Sequence, residues 1–161
     1  MFSEIACYGQ DSTFDDILTT IFISAEQNVN CVALPSGFMG RVVDFLKDQR
    51  FSAVIDFPYG ISTTQVRLHE IILAIRHGAN LIDLVLNGSY LKEENWKKIE
   101  EDLKVCSTVC NENNITLRPI LEYKLFSPKV VIKACEMLEK YNITTVINST
   151  GSIIDDPSDN A

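Results

Sequence analysis

The feature that most constrains this chain is its alternation. Short runs rich in Val, Ile and Leu are separated, from end to end, by amphipathic helical patterns. The runs fall at about 4–8, 30–34, 52–57, 80–86, 115–121 and 143–148. Helical patterns occupy about 12–27, 36–48, 63–77, 92–111 and 127–140. The first opens on Ser12 or Thr13 as a cap with Asp15 and Asp16 in its first turn. The second places Met39, Val42, Val43 and Leu46 on one face. The third places Leu68, Ile71, Ile72 and Ile75 at core spacing, and Gly78 can close it. Trp96, Ile99, Leu103, Cys106 and Cys110 form the stripe of the fourth, and Ser127-Pro128 caps and starts the fifth. Strict alternation implies parallel strands joined by right-handed crossovers. About six such strands with five intervening helices fit an open doubly wound sheet or an incomplete TIM-type (β/α) barrel, and the pattern does not separate the two. No GxGxxG follows a strand and no GxxxxGK[ST] occurs, so a nucleotide-binding sheet gains no support.

The 161 residues suit a single domain (1–161) with a sizeable core, and the polar tail 155–161 is expected to fray. A net charge of −8 argues against nucleic acid, whose affinity comes from neutralising phosphate with Lys and Arg. No stretch approaches transmembrane length and no secretory signal opens the chain, so a cytoplasmic protein is expected. Cys7, Cys31, Cys106, Cys110 and Cys135 are odd in number and contain no CxxC; they read as reduced thiols. Cys106 and Cys110 lie one turn apart but on the apolar stripe, which favours core over metal ligation. His69 and His77 flank a helix face and read as ordinary surface or half-buried histidines. No metal or other cofactor is expected.

Three segments carry a family resemblance. They are Asp56-Phe57-Pro58-Tyr59-Gly60 with Thr63-Thr64, the long run Ala74 to Asn87, and Ser149-Thr150-Gly151. Cys31 to Pro35 and Leu117 to Glu122 join them more loosely. In order and spacing they resemble class I deoxyribose-phosphate aldolase over about residues 30–151. The resemblance implies a (β/α)8 barrel, with its site at the C-terminal ends of the strands. It also decides between the two architectures: α/β, an incomplete barrel. A full barrel takes about 250 residues, so this chain has room for six strands, and it stops before the region of the family's second catalytic lysine and of its phosphate-binding loops.

Residue by residue, the resemblance implies a proton-relay aspartate at Asp83 and places Arg118 where the family has a lysine. Arg118 cannot act as a nucleophile and is expected to pair with Asp83 or Glu122 at the barrel mouth. Glu122 matches a family glutamate and shares inward parity with Arg118. Cys31 matches a cysteine near the family site and reads as packing. The Schiff-base lysine of the family falls at Ile147, whose side chain cannot form an imine, with Asn148 after it. Lys124 would point toward the mouth if the fifth strand ran that far, since 118, 120, 122 and 124 then share a face.

The catalytic candidates are therefore Asp83 and Lys124, and the substrate-binding candidates Arg118, Glu122 and Cys31. The reading is an aldolase-like protein without the ancestral catalysis, serving in binding or assembly. Two alternatives are an active aldolase, cleaving 2-deoxyribose 5-phosphate to glyceraldehyde 3-phosphate and acetaldehyde through Lys124 or a partner chain, and one piece of a split aldolase. Expected partners are a phosphorylated sugar and further copies of the chain. The copies would join through open strand edges near 3–8 and 143–153.

Overall fold

The computed structural model describes residues 3–9, 11–46 and 49–152. Its core is a parallel sheet in the order β1-β2-β3-β4-β5. The strands are β1 (Glu4–Ala6), β2 (Cys31–Pro35), β3 (Arg50–Ile55), β4 (Leu81–Val85) and β5 (Thr116–Ile120). Among the described residues, six α-helices connect and flank them: α1 (Phe14–Glu26), α2 (Met39–Leu46), α3 (Thr64–Arg76), α4 (Gly88–Lys92), α5 (Trp96–Glu112) and α6 (Pro128–Lys140). Each strand pairs with the next in sequence, as in the wall of a barrel, so the fold is an incomplete (β/α) barrel.

The helices begin where local chemistry starts them. Thr13 and Asp16 form a reciprocal capping box on α1, and the Ser127 hydroxyl accepts from Val130 N ahead of Pro128 on α6. Gly78 follows α3 at φ +88°, the left-handed conformation that ends a helix cheaply only without a Cβ. The expected fourth helix (about 92–111) is α5, which starts at Trp96, and a short helix not expected from the sequence, α4, precedes it; each is capped by an asparagine, Asn95 and Asn87. The expected sixth strand is much shorter than 143–148. It consists of a parallel bridge from Ile147 to Ile120, with Ile147 N donating to Pro119 O and Leu121 N to Ile147 O. The ends of the second helical pattern (47–48) and the tail 155–161 lie outside the described residues.

Alternation along the strands makes two interiors. Val32, Leu34, Phe51, Ala53, Ile55, Ile82, Leu84 and Leu117 face the helices and form the main core with Ile17, Ile71, Ile99 and Leu103. The opposite parity faces the barrel axis in two layers. Toward the C-terminal ends lies an apolar layer of Ala33, Val54, Val85 and Ile120, against which Tyr8, Phe57 and Ile147 pack. One pleat deeper, polar side chains take over: Glu4, Cys31, Ser52, Asp83 and Arg118.

The helical stripe of α3 is rotated from its expected position. Arg67, Ile71 and Ala74 are its buried residues, whereas Leu68, Ile72 and Ile75 are half-buried on its flank.

Candidate functional site at the barrel mouth

Asp83 and Arg118 are directly opposed in the register of β4 and β5. Both are buried. Arg118 Nε donates to Asp83 Oδ1 at 2.6 Å and Nη2 to Asp83 Oδ2 at 2.8 Å, a bidentate pair. The expected pairing is therefore present, and it has a third member that parity in the sequence did not single out. Nη2 also donates to Glu4 Oε2 at 2.7 Å. Glu4 lies on β1 and Arg118 on β5, at opposite ends of the sheet, so the guanidinium spans the curved interior.

Burial drives the Asp83 carboxyl above its ordinary range, and the bonds and charge of Arg118 only partly offset that. For Arg118, burial opposes the charge, but Asp83 and then Glu4 outweigh it and raise the guanidinium further. Cys31 stands in the same polar layer. Burial, then the Glu4 carboxylate, pushes its thiol up to about 12, which makes it packing rather than a nucleophile. The thiols of Cys106 and Cys110, expected in the core, are both pushed up to about 12, chiefly by burial.

Glu122 departs from its expected place. β5 ends at Ile120, and Glu122 takes a left-handed conformation, φ +48°. It does not join Arg118 inside. Its carboxylate accepts from Thr150 N at 2.5 Å and from Ser149 Oγ at 2.8 Å, tying the β5 exit to the Ser149-Thr150-Gly151 loop. Gly151 N donates to Ser149 Oγ and Ser152 N to Thr150 Oγ1, so successive amides of this loop are engaged internally.

Because the strand stops, Lys124 cannot share the inward face by alternation. It sits in a 3₁₀ turn, Tyr123–Leu125, and is exposed. It nevertheless reaches the mouth. A cleft of about 400 Å³ is lined by Lys124 with Tyr8, Tyr123, Asn148 and Ser149 to Gly151. Tyr8 is half-buried and packs its ring on Phe57, centroids 5.1 Å apart. Burial, then the charge of Asp83, raises its phenol. Ile147 lies one residue before the cleft wall, with its side chain in the apolar layer above Asp83 and Arg118.

A second buried ion set lies on the other side of the sheet and was not anticipated. Arg67 on α3 is 1% exposed. It donates through Nη1 to Asp102 Oδ2 on α5 and through Nη2 to Val85 O at the end of β4. Its Nε lies 3.2 Å from Asp56 Oδ2. Asp56 in turn accepts from Ser62 N and Ser62 Oγ, and Glu70 accepts from Asp56 N. This set fixes the loop after β3 at the mouth. Gly60 in that loop, at φ +66°, approaches the backbone of β4 so closely that a Cβ would meet Leu86 O at 2.6 Å. The signal available in the sequence was Arg67 at i, i+4, i+7 with Ile71 and Ala74, a stripe that an apolar-only reading passes over.

Among the described residues, no group of three or more His, Cys, Asp or Glu could hold a metal ion, and no helix is long and apolar enough to cross a membrane.

Comparison with known proteins agrees with this architecture. A deoxyribose-phosphate aldolase of Mycoplasmopsis pulmonis is 33% identical over 138 residues, covering 84% of this chain and 62% of the relative. One from Mannheimia succiniciproducens is 34% identical over 102 residues, covering 63% of this chain and 45% of the relative. The chain thus spans less than two thirds of the length of either. The tetrameric deoxyribose phosphate aldolase of Aeropyrum pernix superposes with a TM-score of 0.85 at 18% identity, over 93% of this chain and 63% of that one. A 3-keto-D-glucoside 4-epimerase of Escherichia coli shares the fold more distantly, with a TM-score of 0.60 at 11% identity, over 91% of this chain and 66% of the epimerase. With the profile of the DeoC/LacD family aldolases matching residues 5–143, the chain belongs to that family.

Proposed function

We propose that this chain is an aldolase homologue that binds at its barrel mouth without forming an imine. The observation that carries this reading is the position of Ile147. The family resemblance puts the imine-forming amine there, and here a branched hydrocarbon completes an apolar layer with Ala33, Val54, Val85 and Ile120. Asp83, the proton-relay candidate, is engaged by Arg118 beneath that layer. Without an amine at 147, covalent capture of an aldehyde has no electrophile-accepting group at the family position.

In this reading Asp83, Arg118 and Glu4 set the curvature of the sheet. Cys31 packs beside them. Glu122 positions the Ser149-Thr150-Gly151 loop, and Lys124 supplies a cation to the cleft.

One observation favours a second reading, an active aldolase cleaving 2-deoxyribose 5-phosphate. Lys124 lines the cleft together with Asn148 to Gly151. A Schiff-base lysine needs an amine kept partly neutral by desolvation or a neighbouring cation. The exposure of Lys124 argues against that role. A partner polypeptide could instead supply the amine.

The test is turnover of 2-deoxyribose 5-phosphate by the purified protein. No cleavage is expected. Cleavage that disappears in Lys124→Ala would establish the aldolase reading, and cleavage that survives it would point to a partner or another amine.

Assembly belongs to the same proposal. β1 is an open edge of the described sheet, and the Ile147 bridge leaves little regular strand beyond β5. A homo-oligomer using 3–8 or 143–152 is expected by light scattering at micromolar concentration; a monomer under those conditions would contradict it. Residue 153, also included in the sequence expectation, lies outside the described residues.

A further inference from the structure

We propose that the pocket where the loops after β3, β4 and β5 meet takes a small aliphatic amine, held as its ammonium ion by Glu122. The inference rests on the non-covalent binding reading above and names a ligand class for the mouth.

Three observations lead to it. The first is the size and grading of the pocket. It measures about 110 Å³. Scaled from the ~150 Å³ cavity that takes benzene, that is room for roughly four or five heavy atoms. Leu86 and Leu121 line it and are buried, whereas Tyr59 and Leu125, also in the lining, are 69% and 49% exposed. The walls therefore run from hydrocarbon inside to solvent at the rim. A short alkyl chain gains by burial against the inner part. A polyol there would set its hydroxyls against leucine without partners.

The second is charge. Glu122 is the charged residue of the described lining. Its carboxylate accepts from Ser149 Oγ at 2.8 Å and from Thr150 N at 2.5 Å, one donor on each oxygen. A carboxylate offers about four lone-pair sites, so each oxygen keeps acceptor capacity. The same two bonds hold the group in place before a ligand arrives. An ammonium beside it makes charge-assisted hydrogen bonds. An anion meets like charge, and the net charge of −8 adds to that penalty.

The third is aromatic. Tyr59 and Phe126 both line the pocket. Phe126 packs on Gly88, its Cζ 3.7 Å from where a Cβ would stand. Ring faces attract a cation, also where it stays partly in water. A carboxylate, two aromatic side chains and an aliphatic interior together match an alkylammonium ion better than an alcohol, an acid or a phosphate.

The experiment is a titration of the isotopically labelled full chain with n-butylammonium chloride, n-butanol and sodium butyrate at one ionic strength, followed through amide NMR shifts. The expected result is saturable n-butylammonium binding in the millimolar range or tighter, with shifts centred on Gly88, Leu121 and Phe126. Butanol should bind more weakly and butyrate should not saturate. Glu122→Gln keeps the side chain's shape and removes its charge. It should weaken n-butylammonium at least about fivefold and leave butanol unchanged, so the two come to bind alike. That readout separates loss of charge from collapse of the pocket, which would weaken both. The surface variant Tyr59→Leu should weaken n-butylammonium about two- to fivefold.

Four results would overturn the proposal: butanol or butyrate binding as tightly as n-butylammonium in the unaltered protein, no saturable n-butylammonium binding, binding indifferent to Glu122→Gln, or equal weakening of amine and alcohol in that variant. Any of these without turnover of 2-deoxyribose 5-phosphate defeats this inference alone. Turnover defeats the reading on which it rests.

Discussion

Two buried arginines organise this molecule, and they do so on opposite faces of one sheet. Arg118 lies on the barrel axis with Asp83 and Glu4; Arg67 lies under the helices with Asp102 and Asp56. Among the described residues, Arg118 meets Asp83 and Glu4, and Arg67 meets Asp102 and Asp56. The first set keeps an opening, because the Glu4 side chain is 25% exposed. The second is enclosed: Asp56 is 9% and Asp102 5% exposed, and Asp102 Oδ1 has no hydrogen-bond partner among the described residues. The inner set closes the sheet across its own curve. The outer set bolts α3 to α5 and holds the loop that forms one lip of the mouth. An enclosed set that is incompletely satisfied should tolerate the loss of a member less well than one with access to water.

The sharpest way to break that comparison is to remove each arginine in turn. Arg67→Leu should cost about 3–5 kcal/mol, because it leaves Asp102 buried and unpaired and strips a donor from Val85 O. Arg118→Leu should cost less, about 3 kcal/mol, since Asp83 can take up a proton and Glu4 can turn to solvent. Urea midpoints at constant m would show the order. The reverse order would mean that the inner set bears the greater share of the fold's stability. Glu122→Ala comes next, at about 1–2 kcal/mol for two lost charge-assisted bonds on a half-buried carboxylate. Its effect should concentrate in faster amide exchange at Thr150, with the strands unaffected.

The smallest effect concerns pH. The folded Asp83 carboxyl lies above its ordinary value of 3.8, so the folded state holds this proton more tightly than the unfolded chain. The stability it confers is complete below that ordinary value and is lost as pH rises through the raised folded value. Asp83→Asn should flatten this part of the stability profile; an unchanged slope would assign it to another group.

How much of this was legible in the chain differs between the two sets for a physical reason. Strand parity is rigid. The family resemblance singled out Asp83 and Arg118 on successive strands, and the need of buried charges for partners made a pairing of Arg118 with Asp83 or Glu122 the expectation. Glu4 was missed because it meets Arg118 across the interior, between strands that are not neighbours in the sheet, and no local pattern reports that. Helical faces are softer. A stripe of Leu68, Ile71, Ile72 and Ile75 looked sufficient for α3, yet the helix turns Arg67 inward because two carboxylates from elsewhere receive it. The fifth strand was expected over about 115–121 and ends at Ile120. Glu122 follows in a left-handed conformation, φ +48°, which no residue type there announced; this puts Glu122 at the rim, and the condition for an inward Lys124 by alternation is not met. The barrel itself was legible from alternation together with the motif at 74–87. The cleft at the mouth was not, because Tyr8 and Asn148 are 140 residues apart in the chain and meet only in the fold.

The most direct test of the central claim, that this family member binds without forming an imine, is reductive trapping. The purified protein is incubated with acetaldehyde and borohydride, digested, and its lysines are read by mass spectrometry. The expected result is no stoichiometric ethyl adduct on any lysine and, on Lys124, labelling no greater than on surface lysines such as Lys97. Saturable, stoichiometric modification of Lys124, suppressed by 2-deoxyribose 5-phosphate, would contradict the account and return the chain to the catalytic aldolases.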